Sequence, residues 1–312
     1  MATRRCTRLR AVADRLLRRH RLRARLFAGR PGATPTPGSN HEEVPPMLDL
    51  LLLSPLFFLA AFLGLDLLGL TRARHYDAPR FWRLRGLAFT AVTVTLQFVY
   101  AGFWESVLGG RTLLDLSGLG IVPGAAVGLL VYELFHYGYH RAAHRFDWLW
   151  LLGHQVHHSA ERMDAFGANH MHPIDLFLFA SIASLVFFPL LGLAPEAGAL
   201  VIAWLGFNSM FQHANVRTPR WLGYLIQRPE MHCVHHERGR HRSNYANLPL
   251  WDLLFGTFEN PASVDGREAG FYTGGSTRVV DMLLCRDVSR PPADDDGAEG
   301  PVAPAAPARQ AA

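Results

Sequence analysis

The sequence predicts an all-α protein, a polytopic membrane helical bundle with a cytoplasmic histidine-rich cap. Five long apolar runs follow one another between short polar loops. The arginines gather in some of those loops and avoid others. Thirteen of the sixteen histidines fall between His136 and His241, many of them at helical i, i+4 or i, i+3 spacing. The composition agrees: 312 residues that are 49% hydrophobic and 18% charged are too apolar for an ordinary soluble enzyme and too polar to lie wholly in lipid.

Taken in order, residues 1–46 read as a leader. Its first thirty alternate arginine with leucine and alanine, as in a cationic amphipathic helix, and 31–46 form a Pro/Gly linker. No signal peptide is evident, because the basic stretch is not followed by a short apolar core and a cleavage site. The membrane body is expected over 47–286. Its first span, 47–70, carries only Asp49 and Asp66 as acids and is long enough to cross about 30 Å of hydrocarbon. Further spans are expected at 84–108, 119–139, 174–193 and 197–211. The last is short and tapers into polar residues, as suits a segment partly buried in protein. Residues 214–286 read as a mainly helical lobe outside the bilayer, and 287–312 as a disordered tail.

Charge orients this bundle. The protein has 31 basic residues, all arginine, against 26 acids. The leader holds eleven arginines against three acids, net +8, so the other 266 residues are net −3. The basic balance therefore belongs to the leader, and no nucleic-acid partner is expected for the body. Arg72, Arg74, Arg80, Arg83 and Arg85 lie around the loop after the first span, only Arg111 follows the second, and the turn near Pro195 has none. The positive-inside rule puts the first of these loops, residues 140–173 and the region after 213 in the cytoplasm. The leader would then lie outside with its arginines, against the same rule. Either translation begins at Met47, the preferred reading, or 47–70 is a re-entrant hairpin.

Three histidine clusters carry the chemistry. His136, His140 and His144 repeat at i, i+4 on one helix face. His154, His157 and His158 form an HxxHH triplet, and His232, His235 and His236 form another. A chain of this histidine content should contain roughly 0.04 such triplets by chance, so two are far from accidental. Two spans separate the triplets and return both to the same membrane face. Eight imidazoles exceed the needs of one tetrahedral ion and indicate two metals. Nitrogen ligation suits Fe, Zn or Cu rather than Mg or Ca, without choosing among the three. Beside a bilayer, such a centre could activate O2 for attack on an unactivated C–H bond. Cys6, Cys233 and Cys285 form no CxxC pair, which excludes a zinc ribbon and a disulfide scaffold. His20, His41, His75 and His241 read as satisfied core or surface residues.

The runs HRAAHRFDWLWLLGHQVHHS and MHCVHHERGRHRSNYANLPLWDLLFGTF, within residues 124–258, resemble the fatty acid hydroxylase/sterol desaturase superfamily. That family's histidine pattern is HxxxH, HxxHH and HxxHH. The resemblance implies a membrane base under a cytoplasmic histidine-ligated di-iron centre, which uses O2 and electrons from a separate reductase to hydroxylate or desaturate a lipid. It implies His140, His144, His154, His157, His158, His232, His235 and His236 as ligands. It adds His213, in FQHAN, as a ligand or as a donor behind one. It also marks His172, in the HP element, as either a cap or a site residue, and Asp252 as a partner for a ligand imidazole. His136 is expected to pack behind the site.

This chain departs from the family at Asp164 and at Asn169-His170-Met171, near the expected substrate entrance, which weakens a sterol assignment. The stretch from His236 to His241 is not a zinc-protease HExxH, because its second histidine comes one residue late and points about 100° away. Cys233 reads as packing. Trp148, Trp150, Trp221 and Trp251 read as interfacial anchors or channel lining. No electron-carrier motif occurs, so a separate donor is expected. The sequence reading is thus O2-dependent hydroxylation or desaturation of a membrane lipid, with hydroxylation slightly preferred. Its rivals are a membrane metal-binding or transport protein and a zinc-dependent membrane hydrolase.

Overall fold

Helix α1 (Pro46–Leu67) begins with a proline at its first turn, where a missing N–H costs nothing, and is apolar on every side. A computed structural model of the chain describes residues 46–77 and 79–292, all within one unit, Pro45–Ala312. The leader arginines and residues 293–312 lie outside the described residues; the start of the expected disordered tail, 287–292, is ordered instead, with Val288 fully buried and its amide donating to Gln155 Oε1 at 3.3 Å. Helix α1 is continuous, which removes the re-entrant hairpin, and it leaves Leu50, Leu53 and Phe57 largely exposed, as lipid-facing side chains would be. Its inner face packs against α7 (Pro195–His213), with Phe58 edge-on to Phe207 at 5.4 Å. A Cβ on Gly206 would stand 2.8 Å from Pro55, so glycine is what lets these two helices approach.

Helix α2 (Trp82–Leu108) runs beside α6 (Pro173–Leu185) and is tied to it by two hydrogen bonds. Trp104 Nε1 donates to Ser181 Oγ at 2.8 Å, and Tyr100 Oη to the Pro173 carbonyl at 3.1 Å. Helix α3 (Ile121–Arg145) packs against α7 through a core of Ala125, Tyr132, Val186, Phe187, Leu191, Leu193, Ala197 and Val201. Beyond α6 the chain passes through a π-helical turn, Val186–Leu190, in which the wider winding accommodates Pro189.

Among the described residues, four helical segments are long and apolar enough to cross a membrane: Met47–Leu67, Trp82–Leu108, Ile121–Arg145 and Pro173–Leu190. The fifth expected span, α7, is sheathed by α1 and α3 instead, with Ala197, Val201, Asn208 and His213 buried.

The connection from α3 to α6 carries α4 (Asp147–Leu149), a π-helical turn Trp150–His154, and α5 (Gln155–His158). After α7 come α8 (Pro229–His235), α9 (Pro249–Phe255) and α10 (Val279–Leu283). This region is less helical than its sequence suggests. Among its described residues the helices are short, and β pairing is confined to one bridge between Glu237 and Ala269. Its backbone is satisfied by buried side chains instead. Glu133, fully buried in α3, accepts hydrogen bonds from the Asn247 and Leu248 amides, and Asp252 from those of Tyr245 and Ala246. Glu161 likewise accepts from Gly274 and Ser276.

Candidate metal centre

Nine histidines converge where the cap meets the bundle: eight from α3, α5, α7, α8 and the π-helical turn, and His236 at the C-cap of α8. They form two groups. His140, His144, His154, His158 and His235 make the first, and His157, His213, His232 and His236 the second, with the donor nitrogens of each group mutually within 4.8 Å. All nine are buried, none exposing more than 8% of its surface. Each HxxHH triplet is divided between the groups. The i, i+4 pair His154 and His158 joins His235, whereas the i, i+4 pair His232 and His236 joins His157. Adjacent imidazoles therefore face different centres, and the two centres touch where His158 and His236 stack at 4.2 Å.

The first group is oriented from outside, nitrogen by nitrogen. His140 Nδ1 donates to the Tyr245 carbonyl, His144 Nδ1 to the His241 carbonyl and His235 Nδ1 to the Ser243 carbonyl, each at 2.7 Å. His154 Nδ1 lies 3.0 Å from Asp175 Oδ2. Carbonyl and carboxylate oxygens only accept, so each Nδ1 carries the proton and each Nε2 turns a lone pair into the group. The lone pairs of His144 and His154 stand 3.1 Å apart, and Nε2 of His140, His158 and His235 is buried without a hydrogen-bond partner. Such an arrangement is repulsive alone and is what a soft-to-borderline cation requires.

In the second group His213 Nδ1 donates to the Ser209 carbonyl of its own helix, and its Nε2 meets His232 Nε2 at 3.2 Å. His232 Nε2 also lies 3.1 Å from His236 Nε2, and the Gln227 amide reaches His232 Nδ1 at 3.3 Å. Burial, then repulsion from neighbouring imidazoles, holds His157, His158, His232 and His236 well below the usual histidine pKa; burial does the same for His235. They are neutral at pH 7, the form that binds metal. The donor set fits two nitrogen-preferring metal ions.

Local sequence explains the placement. The π-helical turn ends at His154, and a Cβ on Gly153 would stand 2.7 Å from the Asp175 Cβ, so glycine lets the turn settle against α6. His136 packs behind the site, with Nδ1 3.1 Å from Tyr132 Oη. His172 caps α6 by accepting from the Ile174 amide and belongs to neither group.

Several expectations need correction. Asp252 touches no imidazole; it holds the loop whose Tyr245 carbonyl orients His140. The carboxylate that meets a site histidine is Asp175, which the sequence reading missed although it stands two residues after the HP element. His241 belongs to neither group but borders the first. Its carbonyl accepts a hydrogen bond from His144 Nδ1, and its own Nδ1 lies 3.1 Å from that of His158. Asp164 and His170 are both buried. Asp164 is pinned by Trp82 and Arg162, and His170 is buried between Trp82 and Phe89. Glu237 pairs with Arg240 and Arg267, away from the imidazoles. Cys233 is packed beside Tyr76, and burial pushes its thiol pKa up. Trp150 walls the first group at 5.4 Å from His144, whereas Trp148 and Trp221 are exposed and Trp251 stacks on Phe255.

With this geometry in view, comparison with known proteins is informative. Residues 125–257, somewhat under half of the chain, match the family model described as fatty acid hydroxylase. The chain is 32% identical over 173 residues to the ornithine lipid hydroxylase of Rhizobium tropici, which covers 53% of this chain and 50% of the relative. It is 23% identical to sphinganine C4-monooxygenase 1 of Arabidopsis thaliana, over 48% of this chain and 59% of that protein. It is 33% identical to the human alkylglycerol monooxygenase, over 40% of this chain and 28% of that one. The chain thus spans about half or less of the length of most of these relatives. No solved structure matches.

Proposed function

We propose that this chain is a multi-pass membrane oxidoreductase that inserts oxygen from O2 into a C–H bond of a membrane lipid, with two iron ions held by the nine grouped histidines. The single observation that carries this reading is the pair of adjoining imidazole groups, buried and with lone pairs converging, at the junction of apolar helices and cap. His140, His144, His154, His158 and His235 would hold one iron, and His157, His213, His232 and His236 the other. Bound iron supplies the reduction of O2 and the removal of hydrogen from an unactivated carbon.

The protein's own residues do the rest. The Tyr245, His241 and Ser243 carbonyls and the Asp175 carboxylate keep protons on four Nδ1 atoms, so that the opposite nitrogens stay basic. Trp150 and Tyr245, both buried, keep bulk water from the first group. The net reaction consumes O2, two electrons and two protons and yields a hydroxylated lipid and water. A separate donor supplies the electrons, since the chain has no carrier motif of its own. Hydroxylation is preferred over desaturation because relatives from three organisms are named as a hydroxylase or monooxygenases. The arginines of the loop after α1 support a cytoplasmic position for the centre.

Comparative lipidomics of cells with and without the gene, grown under 18O2, tests the reading. One lipid class should gain a single labelled oxygen. Loss of two hydrogens without label would replace hydroxylation by desaturation. An unchanged lipid profile would overturn the proposal, as would normal lipid oxidation by a variant lacking His157 and His235.

A further inference from the structure

Helix α6 presents two side chains one turn apart toward α3. Asp175 meets His154 and Tyr139 at the rim of the first histidine group. Phe179, at i+4 on the same face, sits about 6 Å farther along the helix, inside the segment Pro173–Leu190 that is apolar enough to cross a membrane. Its ring lies 4.8 Å from that of Tyr139, 5.0 Å from His136, 5.9 Å from His140 and 6.2 Å from His154. Among the aromatic rings packed on the first group, Trp150 and Tyr245 are buried on the cap side, whereas Phe179 is partly exposed, as are its neighbours His136 and Tyr139.

Ile174 at the start of α6 is 39% exposed, but other side chains of the helix face its neighbours. Phe177 and Ser181 turn toward Tyr100 and Trp104 of α2, and farther along the chain Val186 and Phe187 close into the core with Tyr132. Phe179 is thus a partly exposed ring that packs on the first group's histidines and lies within an apolar segment. Its ring has no polar atom, which suits a hydrocarbon chain and not a headgroup.

We infer that Phe179 is a specificity-determining residue: the acyl or alkyl chain of a membrane lipid reaches the centre between α3 and α6, and the bulk at position 179 sets which carbon lies beside the first histidine group. This rests on the lipid-oxidising reading above. Shortening the side chain lets the chain advance, and enlarging it holds the chain back, while the metal-binding nitrogens stay in place.

The test expresses the full chain, Phe179→Ala and Phe179→Trp in the same host under 18O2. Oxidised carbons in the host's membrane lipids are located by fragmentation mass spectrometry, and iron per purified chain is measured in parallel. The expected result is wild-type iron content with the labelled position, or the preferred chain length, displaced by about one carbon or more, in opposite senses for the two variants. Identical product positions in both iron-loaded variants would overturn the inference while leaving the proposed function intact. Loss of iron from both would also overturn it, assigning Phe179 to holding the site together. Absence of oxidised lipid from the wild type would instead defeat the proposed function itself.

Discussion

His154 and Asp175, drawn from different helical segments and both essentially inaccessible to solvent, face each other with Nδ1 3.0 Å from Oδ2. The carboxylate also accepts from Tyr139 Oη, so its orientation is held from two sides. This pair fixes the tautomer of His154 and turns its Nε2 lone pair toward the first histidine group.

Asp175→Asn keeps the shape of the side chain but removes the charge and lets the amide present a donor to the ring. Metal affinity at the first group should fall about 10- to 100-fold, the usual cost of losing such an outer partner. Chelator competition on the metal-loaded protein reads this directly. Tyr139→Phe should cause a smaller loss, since Asp175 would still meet His154. An Asp175→Asn protein with unchanged affinity would remove the positioning role.

Adjacent histidines should report on different ions. His235 belongs to the first group and His236 to the second, although they are neighbours in sequence. His235→Ala and His236→Ala should each bind about one metal ion in place of two, as two separate sites would. Adding His144→Ala to His235→Ala should leave the remaining ion in place, whereas adding His232→Ala should deplete both. Metal analysis of the purified single and double variants distinguishes this from one shared centre, for which the two double variants would behave alike.

What the sequence revealed about the site, and what it hid, has a physical cause. Metal ligation favours a local rule, histidines one helical turn apart, so eight of the nine grouped histidines stand out in the linear chain, whereas His213, alone in FQHAN, was implied only by the family resemblance. The groups that orient them obey no such spacing. The Tyr245, His241 and Ser243 carbonyls are backbone atoms of an irregular loop, and any residue type can supply them. Asp252 illustrates the difficulty: its place in the motif suggested contact with an imidazole, but it works at one remove by holding the loop. The apolar spans were legible because lipid demands continuous hydrophobicity. The cap was overestimated as helix because buried carboxylates satisfy its backbone in place of a repeating ladder.

Glu133 should be a stability determinant as well as a positioning residue. Its carboxylate accepts from the Asn247 amide at 2.8 Å, the Leu248 amide at 3.2 Å and the Asn247 side chain at 2.9 Å. Glu133→Ala leaves those donors without their buried partner, at about 1–3 kcal/mol for each one that water cannot reach. The thermal midpoint in detergent should drop by several degrees. Metal should also be lost from the first group, because the loop that follows Tyr245 is freed. Glu133→Gln keeps an acceptor oxygen and should recover part of both losses. A Glu133→Ala protein as stable as the wild type would show that the loop is held by other contacts.

Acid should destabilise the metal-free protein. His157, His158, His232, His235 and His236 are held well below the ordinary histidine pKa, and burial lowers His170 to about 3. In the unfolded chain each titrates near its ordinary value of 6.5. The stability gained by burying them neutral is therefore complete above that pH. As pH falls from there toward the folded-state values, the unfolded chain binds protons that the folded one refuses, at about 1.4 kcal/mol per pH unit for each histidine. Asp252 works in the opposite sense. Burial raises it to about 6, so its protonated form is favoured by folding and its contribution grows as pH falls from about 6 to 3.8. One carboxyl cannot offset six imidazoles. The thermal midpoint of metal-stripped protein should fall continuously between about pH 7 and pH 5. Bound metal competes with the same protons, so the loaded protein should be more stable at pH 7 and release its ions as acid is added. Midpoints that stay level or rise on acidification would mean that these imidazoles are not buried in neutral form.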